Sequence, residues 1–411
     1  MKMKRILALL LALTLVFALA ACGSEPTTSE SPSTSEEPSS FPSMTIPDAS
    51  AEDGYASMAA AYAQQIAGLD KDTVLFTVNG TPVTAEYYLY WLTYDCYYWD
   101  YMNLMYYGAN LDFSSMATAD MTVAAYLKND AKNFTAYYMV MEEQAAALGC
   151  GVTEDQLADW EAQKADYLAQ NGQDAFDLLM CQWGVTTSNF DRLNTYNSLY
   201  SNLQSALVAE PTEADLDAYI EANNLFAAKH ILILTAKESE DGTVTLATGE
   251  AIVNEDGSAY TGTAEEYNAK ALARIQDIAA QLANAEDATA LFDELMKAHS
   301  EDSGLTSYPD GYEFTTGEMV TEFEEGTKAL AYGEIGEIIQ TSYGYHIILR
   351  LRPNATEGYY GAKMDALLEQ WITEADIVTT EAYDNLDSKS IYANYLVYQT
   401  NLTSDTTVDG E

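Results

Sequence analysis

Positive charge is what this chain has least of. Its 411 residues carry 18 Lys and Arg against 64 Asp and Glu, a formal net charge of −46. Such a surface repels nucleic acid and anionic lipid, so no nucleic-acid partner is expected, and solubility in a cationic, salty or wall-associated setting accounts for the acidity better than a specific basic partner. Cysteine is also scarce: Cys96, Cys150 and Cys181 lie in aromatic or helical apolar contexts without CxxC spacing. That argues against a disulfide framework, leaves room for one pair at most, and makes buried thiols the default. No EF-hand loop and no metal-ligand spacing can be read, so neither a metal nor another cofactor is expected. The one long apolar run, Ile6 to Leu19, is shorter than the roughly 20 residues of an ordinary membrane span. Histidine occurs three times, at His230, His299 and His346. Two of these sit inside the apolar runs Ala228-Lys229-His230-Ile231-Leu232-Ile233 and Gly344-Tyr345-His346-Ile347-Ile348-Leu349. Two strands that each carry an imidazole read either as satisfied core histidines or as a polar site built into an apolar core.

The apolar run follows Lys2, Lys4 and Arg5 and ends in Leu19-Ala20-Ala21-Cys22-Gly23. This is the pattern of a secretory signal, and its end resembles the bacterial lipobox, which implies cleavage before Cys22 and lipidation of its thiol. Residues 1–21 are therefore expected to be a lipoprotein signal peptide, whose loss takes the net charge to about −49. Residues 22–52, rich in Ser, Thr, Pro and Glu with almost nothing to bury, are expected to be a disordered tether. The length that remains is enough for two domains with proper cores.

Residues 53–225 read as a short hairpin followed by helices. Val74-Leu75-Phe76-Thr77-Val78 alternates weakly, Asn79-Gly80 is a strong hairpin signal, and Pro82-Val83-Thr84 leads into a helix with Thr84 as its expected cap. That helix carries Tyr87, Tyr88, Tyr90, Trp91, Tyr94, Tyr97, Tyr98, Trp99, Tyr101, Met102, Met105, Tyr106 and Tyr107, with aromatic or thioether groups on every face. Part of this belongs in a core; the rest reads as an adaptable surface for client chains. Thr153-Glu154-Asp155-Gln156 fits a capping box, and Thr212 after Pro211 caps another helix.

From residue 226 to 353 the pattern changes. A strand is expected over Ala227 to Ala236, a hairpin over Thr243 to Asn254, and helices from Ala264 to about Ala285 and from Ala290 to His299. A third helix is expected to put Met319 and Phe323 on one face, and strands over Ile335 to Thr341 and Gly344 to Arg352 complete the unit. Beyond it, Met364, Leu367, Leu368, Trp371 and Ile372 follow an amphipathic helical spacing that predicts packing on the N-terminal helices within residues 354–402. Residues 403–411 are expected to be a disordered tail.

Five stretches carry a resemblance: Lys229-His230-Ile231-Leu232-Ile233, Ser300-Glu301-Asp302-Ser303, Gly317-Glu318-Met319-Val320-Thr321-Glu322-Phe323, Gly333-Glu334-Ile335 and Thr341-Ser342-Tyr343-Gly344-Tyr345-His346-Ile347-Ile348. In order and spacing they resemble the parvulin-type peptidyl-prolyl isomerases. With the lipobox and flanking helices, the whole chain resembles the PrsA and SurA class of extracytoplasmic foldases. The resemblance implies an α+β fold in which a parvulin domain, a small mostly antiparallel sheet with surrounding helices, is inserted in a mainly helical chaperone domain. It also implies that His230 and His346 form a paired-histidine core with Thr341 in its hydrogen-bond network, and that Asp302 stands at the cleft. Met319 and Phe323 would floor a proline pocket, with Phe314 alongside and bulky Tyr343 narrowing the cleft. Taken singly, Met319 and Phe323 could be core residues, Asp302 a cap and Thr341 a strand residue. Where the family commonly has a Gly-Gly-Asp-Leu-Gly-Trp-Phe type of run, this chain has Tyr308-Pro309-Asp310-Gly311-Tyr312-Glu313-Phe314.

The implied activity is cis/trans isomerisation of X-Pro bonds in unfolded or secreted chains, outside the cytoplasm, on a membrane anchored through Cys22. A homodimer is left open. Glu238-Ser239-Glu240-Asp241 stands where phosphate-selective relatives place basic residues, so phosphorylated substrates are expected to be disfavoured. Two other classes compete: a holdase with a weak or inactive parvulin fold, and a lipid-anchored solute-binding protein, which is disfavoured because no two similar α/β lobes can be read.

Overall fold

A computed structural model of the chain describes residues 54–405 apart from Glu255. The expected leader, Cys22 and the tether lie outside the described residues, as do residues 406–411. The chain divides into two compact units, one made of residues up to Ala209 and from Ala362 onward, the other of Glu210–Gly361.

The first unit contains α1 (Gly54–Ala67), β1 (Val74–Val78), β2 (Thr81–Thr84), α2 (Ala85–Tyr107), α3 (Val123–Leu148), α4 (Glu154–Asn171), α5 (Gln173–Trp183) and α6 (Thr187–Leu207). Strands β1 and β2 pair antiparallel around Asn79 and Gly80, which both take positive φ, 50° and 81°. That is the left-handed pair of a tight hairpin turn. Thr84 occupies the cap position of α2, but its side chain makes no capping hydrogen bond. Thr153 and Gln156 do form the reciprocal capping box of α4.

The aromatic helix divides along its length rather than around its circumference. From Ala85 to Thr93 every residue is buried, so this part runs through the core, where Trp91 stacks on Tyr138 at 4.8 Å. Beyond Tyr97 the rings emerge, until Tyr106 and Tyr107 are 74% and 80% exposed. Cys96 and Cys181 are buried in this unit and Cys150 is half-buried, each as a thiol.

The second unit opens with α7 (Glu213–Ala222), capped by the Thr212/Asp215 box, followed by β3 (Leu225–Leu234), β4 (Ala236–Glu238), β5 (Val244–Leu246), α8 (Ala264–Ala283) and α9 (Ala288–His299). A 3-10 turn (Ser303–Thr306), β6 (Tyr312–Thr315), α10 (Thr321–Lys328), β7 (Ile339–Gln340) and β8 (Gly344–Leu351) complete it. Helix α7, placed by the sequence reading in the preceding region, belongs here: the Arg352 guanidinium at the end of β8 donates to Glu213 and, at 2.8 Å, to Asp217.

The main sheet has the order β6-β3-β8-β7, with every pairing antiparallel. Successive residues of a strand face opposite sides, and the two sides of this sheet do different work. Ile231, Ile233, Ile347 and Leu349 join Ile275, Ile278, Phe292 and Met296 in a core under α8 and α9. Ala228 and Ile348 face the other way, with Phe314 and with Phe323 of α10. His230 and His346 share this second face by alternation.

Several elements are shorter than expected. The expected strand over Ile335–Thr341 is reduced to Ile339–Gln340, with Ile335 in a single bridge to Leu349. Gly333 and Gly336 reach β8 through separate N–H bonds to Arg350 and Ile348 instead of a continuous ladder. The first strand ends at Leu234, and Ala236 starts a separate two-stranded hairpin with β5. Val253 and Ala259 bridge in a further turn.

The chain then returns to the first unit through α11 (Thr356–Glu374), β9 (Ile377–Thr379), α12 (Glu381–Asp384) and α13 (Ser388–Asp405). β9 pairs with β1, so the sheet order there is β2-β1-β9. Met364 and Leu368 are buried in the first unit's core, with Leu367, Trp371 and Ile372 packed against it. Because α13 runs to Asp405, residues 403–405 are helical where the sequence reading placed a disordered tail. No helix among the described residues is long and apolar enough to cross a membrane.

Candidate active site

Strand register brings the two histidines together. In the β3/β8 ladder His230 pairs with Ile348 and Leu232 with His346, so the imidazoles are diagonal neighbours on one face. Their centroids are 5.2 Å apart at 72°. They meet edge to face rather than through a hydrogen bond, which replaces the expectation that they hold one another in a bonded network.

Thr341 does bond to the pair. Its hydroxyl lies 2.9 Å from His346 Nε2 and also accepts the Tyr343 N–H at 3.1 Å. The position comes from a tight turn, closed by the Thr341 N–H on the Gly344 carbonyl at 2.9 Å. Gly344 is required there, because a Cβ would stand 2.2 Å from the Ile233 carbonyl oxygen.

Asp302 is delivered by the segment after α9, which runs beside the half of β3 that β6 leaves unpaired. The Glu301 N–H donates to Leu232 C=O at 2.8 Å, the Leu232 N–H to Ser300 Oγ at 3.1 Å and the Leu234 N–H to Glu301 Oε2 at 2.8 Å. Asp302 then caps the 3-10 turn through the Gly304 N–H and faces the histidines. Its Oδ2 is 3.4 Å from His230 Nε2, within ion-pair range but outside well-formed hydrogen-bond geometry, and accepts a 2.6 Å bond from the Tyr312 hydroxyl. Cap and cleft residue are thus one and the same.

Tyr312 is the residue that sequence reasoning missed. Besides its bond to Asp302, its ring lies parallel to the His230 imidazole, 5.7 Å between centroids and 3° between planes. The only available signal was its two-residue spacing from Phe314 on one strand, and that strand lies in the run that departs from the family pattern.

These groups line a cavity of about 290 Å³. Leu232, Leu234, Met319, Val320 and Phe323 supply its apolar wall, while His230, His346, Asp302, Tyr312, Tyr343, Glu301 and Glu318 supply most of its polar one. Phe323 touches both imidazoles, at 5.1 and 5.6 Å. Met319 precedes α10 instead of sharing its face with Phe323, and it is held by Glu324, whose carboxylate accepts the Gly317 and Met319 N–H groups at 2.6 and 3.2 Å. Phe314 is not part of the lining. It is buried behind Phe323 at 5.9 Å, against Phe226, and supports the pocket from the rear. Thr341 likewise stands behind His346 rather than in the wall.

Burial sets the electrostatics. It pushes the His346 pKa down to about 3, with His230 adding to the effect, so His346 is neutral near pH 7. Partial burial opposes ionisation of Asp302, but His230, the Tyr312 hydroxyl and the Gly304 N–H outweigh it and hold that carboxyl at about 2. Burial, then Asp302, raises the Tyr312 phenol. No cluster of three or more metal-ligating side chains occurs among the described residues. A neutral imidazole, an ionised carboxylate and an apolar floor can bind and orient a chain, and they contain no activated nucleophile.

Comparison with known proteins gives a family for this part of the chain. The family model described as "Rotamase: PPIC-type PPIASE domain" matches residues 230–351. The chaperone SurA of Nitrosospira multiformis is 30% identical over 93 residues, 20% of this chain and 21% of that one. The foldase protein PrsA of Geobacillus kaustophilus is 40% identical over 74 residues, 18% of this chain and 25% of that one. The matches thus span a quarter or less of these relatives. A crystal structure of the peptidylprolyl isomerase PrsA from Bacillus cereus aligns over 72% of this chain and 94% of its own, with 20% identity and a TM-score of 0.23. The family match and the side chains it covers identify residues 230–351 as a peptidyl-prolyl isomerase domain of the PPIC, or parvulin, type.

Proposed function

We infer that this chain is an extracytoplasmic, lipid-anchored foldase that isomerises X-Pro bonds in unfolded or secreted polypeptides. The observation that carries the reading is the apolar pocket floored by Met319 and Phe323 beneath His230, His346 and Asp302. An X-Pro bond turns over in tens to hundreds of seconds because amide resonance sets a barrier of about 18–20 kcal/mol. Catalysis requires only that the twisted amide, less polar than either planar form, be bound better than they are. A proline ring held against Leu232, Met319 and Phe323 loses water on that side, which favours the less polar state. His346, anchored by Thr341, keeps the wall rigid and uncharged, and Asp302 sets the field beside the rotating bond.

The lipobox-like Leu19-Ala20-Ala21-Cys22 supports export and anchoring through Cys22. The exposed end of α2 supports client binding, since Tyr97, Tyr101, Met105, Tyr106 and Tyr107 offer adaptable apolar area. Prolyl exchange measured on the full chain tests the central claim. Asp302→Ala is expected to lower turnover without unfolding the domain. Turnover absent from the parent chain, with aggregation of clients still suppressed, would leave the holdase reading in its place.

A further inference from the structure

We propose that the pocket prefers prolyl segments carrying a lysine or arginine within one residue of the proline. The proposal rests on the reading that this site binds X-Pro bonds, and it names the class of chain selected. Three carboxylates line the cavity, Glu301 and Asp302 on the segment after α9 and Glu318 on the loop before α10, and no Lys or Arg is in the lining.

The carboxylates reach the lining on two separate segments, so a cation beside a seated proline meets negative charge from at least one of them. Their carboxylates are not equally available. Glu301 is tied to the Leu234 N–H and to Arg274 Nη1 at 2.7 Å, which offsets much of its charge. Asp302 is held by Tyr312 and His230, yet it remains ionised and faces the cavity. Glu318 is exposed, has no cationic partner among the described residues, and uses Oε2 to accept the Thr315 N–H at 2.6 Å. Lys328, a neighbouring ammonium, is engaged by Glu324 and Glu325 at 3.4 and 3.6 Å. An acidic or phosphorylated neighbour of the proline would be repelled by the same groups.

The chain's net charge of −46 attracts any cationic peptide, so the test must separate this general attraction from the local one. Full-length protein would be assayed on peptides that differ only in having lysine, norleucine or glutamate before or after the proline. For at least one flank, kcat/KM for lysine over norleucine is expected to be raised by about threefold to tenfold at low salt and to fall toward one as the Debye length shrinks to about 3 Å at 1 M salt. Glu318→Gln keeps an acceptor for Thr315 and changes the global charge by one. It is expected to reduce the lysine-to-norleucine ratio, whereas a merely structural effect would lower both substrates together. Equal kcat/KM for lysine and norleucine on both flanks at low salt, or a ratio unmoved by Glu318→Gln, would overturn the proposal. Absence of turnover on every peptide would instead overturn the isomerase reading on which it rests.

Discussion

Replacing Thr341 by valine removes one hydroxyl and almost nothing else, and the structure gives the consequence a size. Valine matches threonine in volume and suits extended backbone. The hydroxyl lost is bonded to His346 Nε2 at 2.9 Å, with Thr341 and His346 only 6% and 4% exposed. His346 Nδ1 already has no hydrogen-bond partner in the structure, so the variant leaves the whole imidazole without one. A buried polar atom stripped of its partner costs about 1–3 kcal/mol, and loss of the half-buried Tyr343 N–H bond adds about 0.5–1 kcal/mol. Thr341→Val should therefore destabilise the isomerase unit by roughly 1.5–4 kcal/mol, a large part of an ordinary domain's 5–15 kcal/mol. It should also lower prolyl turnover, because the ring is no longer held in one orientation. All five tryptophans, Trp91, Trp99, Trp160, Trp183 and Trp371, lie outside residues 210–361, so tryptophan emission follows the wrong unit. Amide exchange along β3 and β8 is the suitable measurement. A change below about 0.5 kcal/mol there would mean that the Thr341–His346 bond carries no net stability, and the account of the histidine face would fail.

Two further perturbations test the same face. The His346 pKa is pushed from 6.5 to about 3 in the folded chain, so between those values the unfolded state holds more protons than the folded one. The resulting stability is fully present above pH 6.5 and is lost as pH falls toward 3; urea midpoints from pH 7.5 to 4 should decline, and His346→Gln should flatten the decline. A parent chain with a flat profile over that range would refute the burial of a neutral imidazole. Tyr312→Phe keeps the ring over His230 but deletes the 2.6 Å donor to Asp302. It should raise the Asp302 pKa, followed by carboxyl NMR, and cost about 1 kcal/mol once partial exposure is allowed for; an unmoved carboxyl titration would show that the bond is not formed in solution.

Much of this site is legible in the sequence, and the reasons are local. Alternation in Ala228–Ile233 and Tyr345–Leu349 set the histidines on strands, and a period of two then fixes which neighbours share their face. Asn79-Gly80 and Thr153-x-x-Gln156 specify their turn and cap through backbone chemistry within four residues. What escaped depends on contacts distant in sequence. Tyr312 matters only because β6 pairs with the first half of β3, leaving the second half to the segment that carries Asp302. Met319 was placed on a helix by its spacing from Phe323, but Glu324 holds it in the loop before that helix. The aromatic run of α2 has no periodicity because its first turns are buried on all sides and its last turns emerge, a division along the axis that no helical period can report.

The two faces of the β6-β3-β8-β7 sheet explain how an apolar core tolerates such a site. Under α8 and α9 the face is aliphatic and aromatic, with Ile231, Ile275, Phe292 and Ile347 essentially inaccessible to water. On the opposite face His230 Nδ1 and His346 Nδ1 are buried without a hydrogen-bond partner in the structure, a cost of order 1–3 kcal/mol each. Such groups persist where the surrounding packing holds them, and here the strands that carry them are the same ones that build the aliphatic core. The pocket also combines two kinds of group: Met319, Phe323 and neutral His346 are uncharged, while the carboxylates of Asp302 and Glu318 enter its lining from the segments that flank the sheet. A twisted prolyl amide needs low polarity at the bond itself, and the proposed preference for cationic chains needs charge beside it. One strand face can meet both demands only if the charged groups arrive on loops, and the segments around Asp302 and Glu318 supply that arrangement.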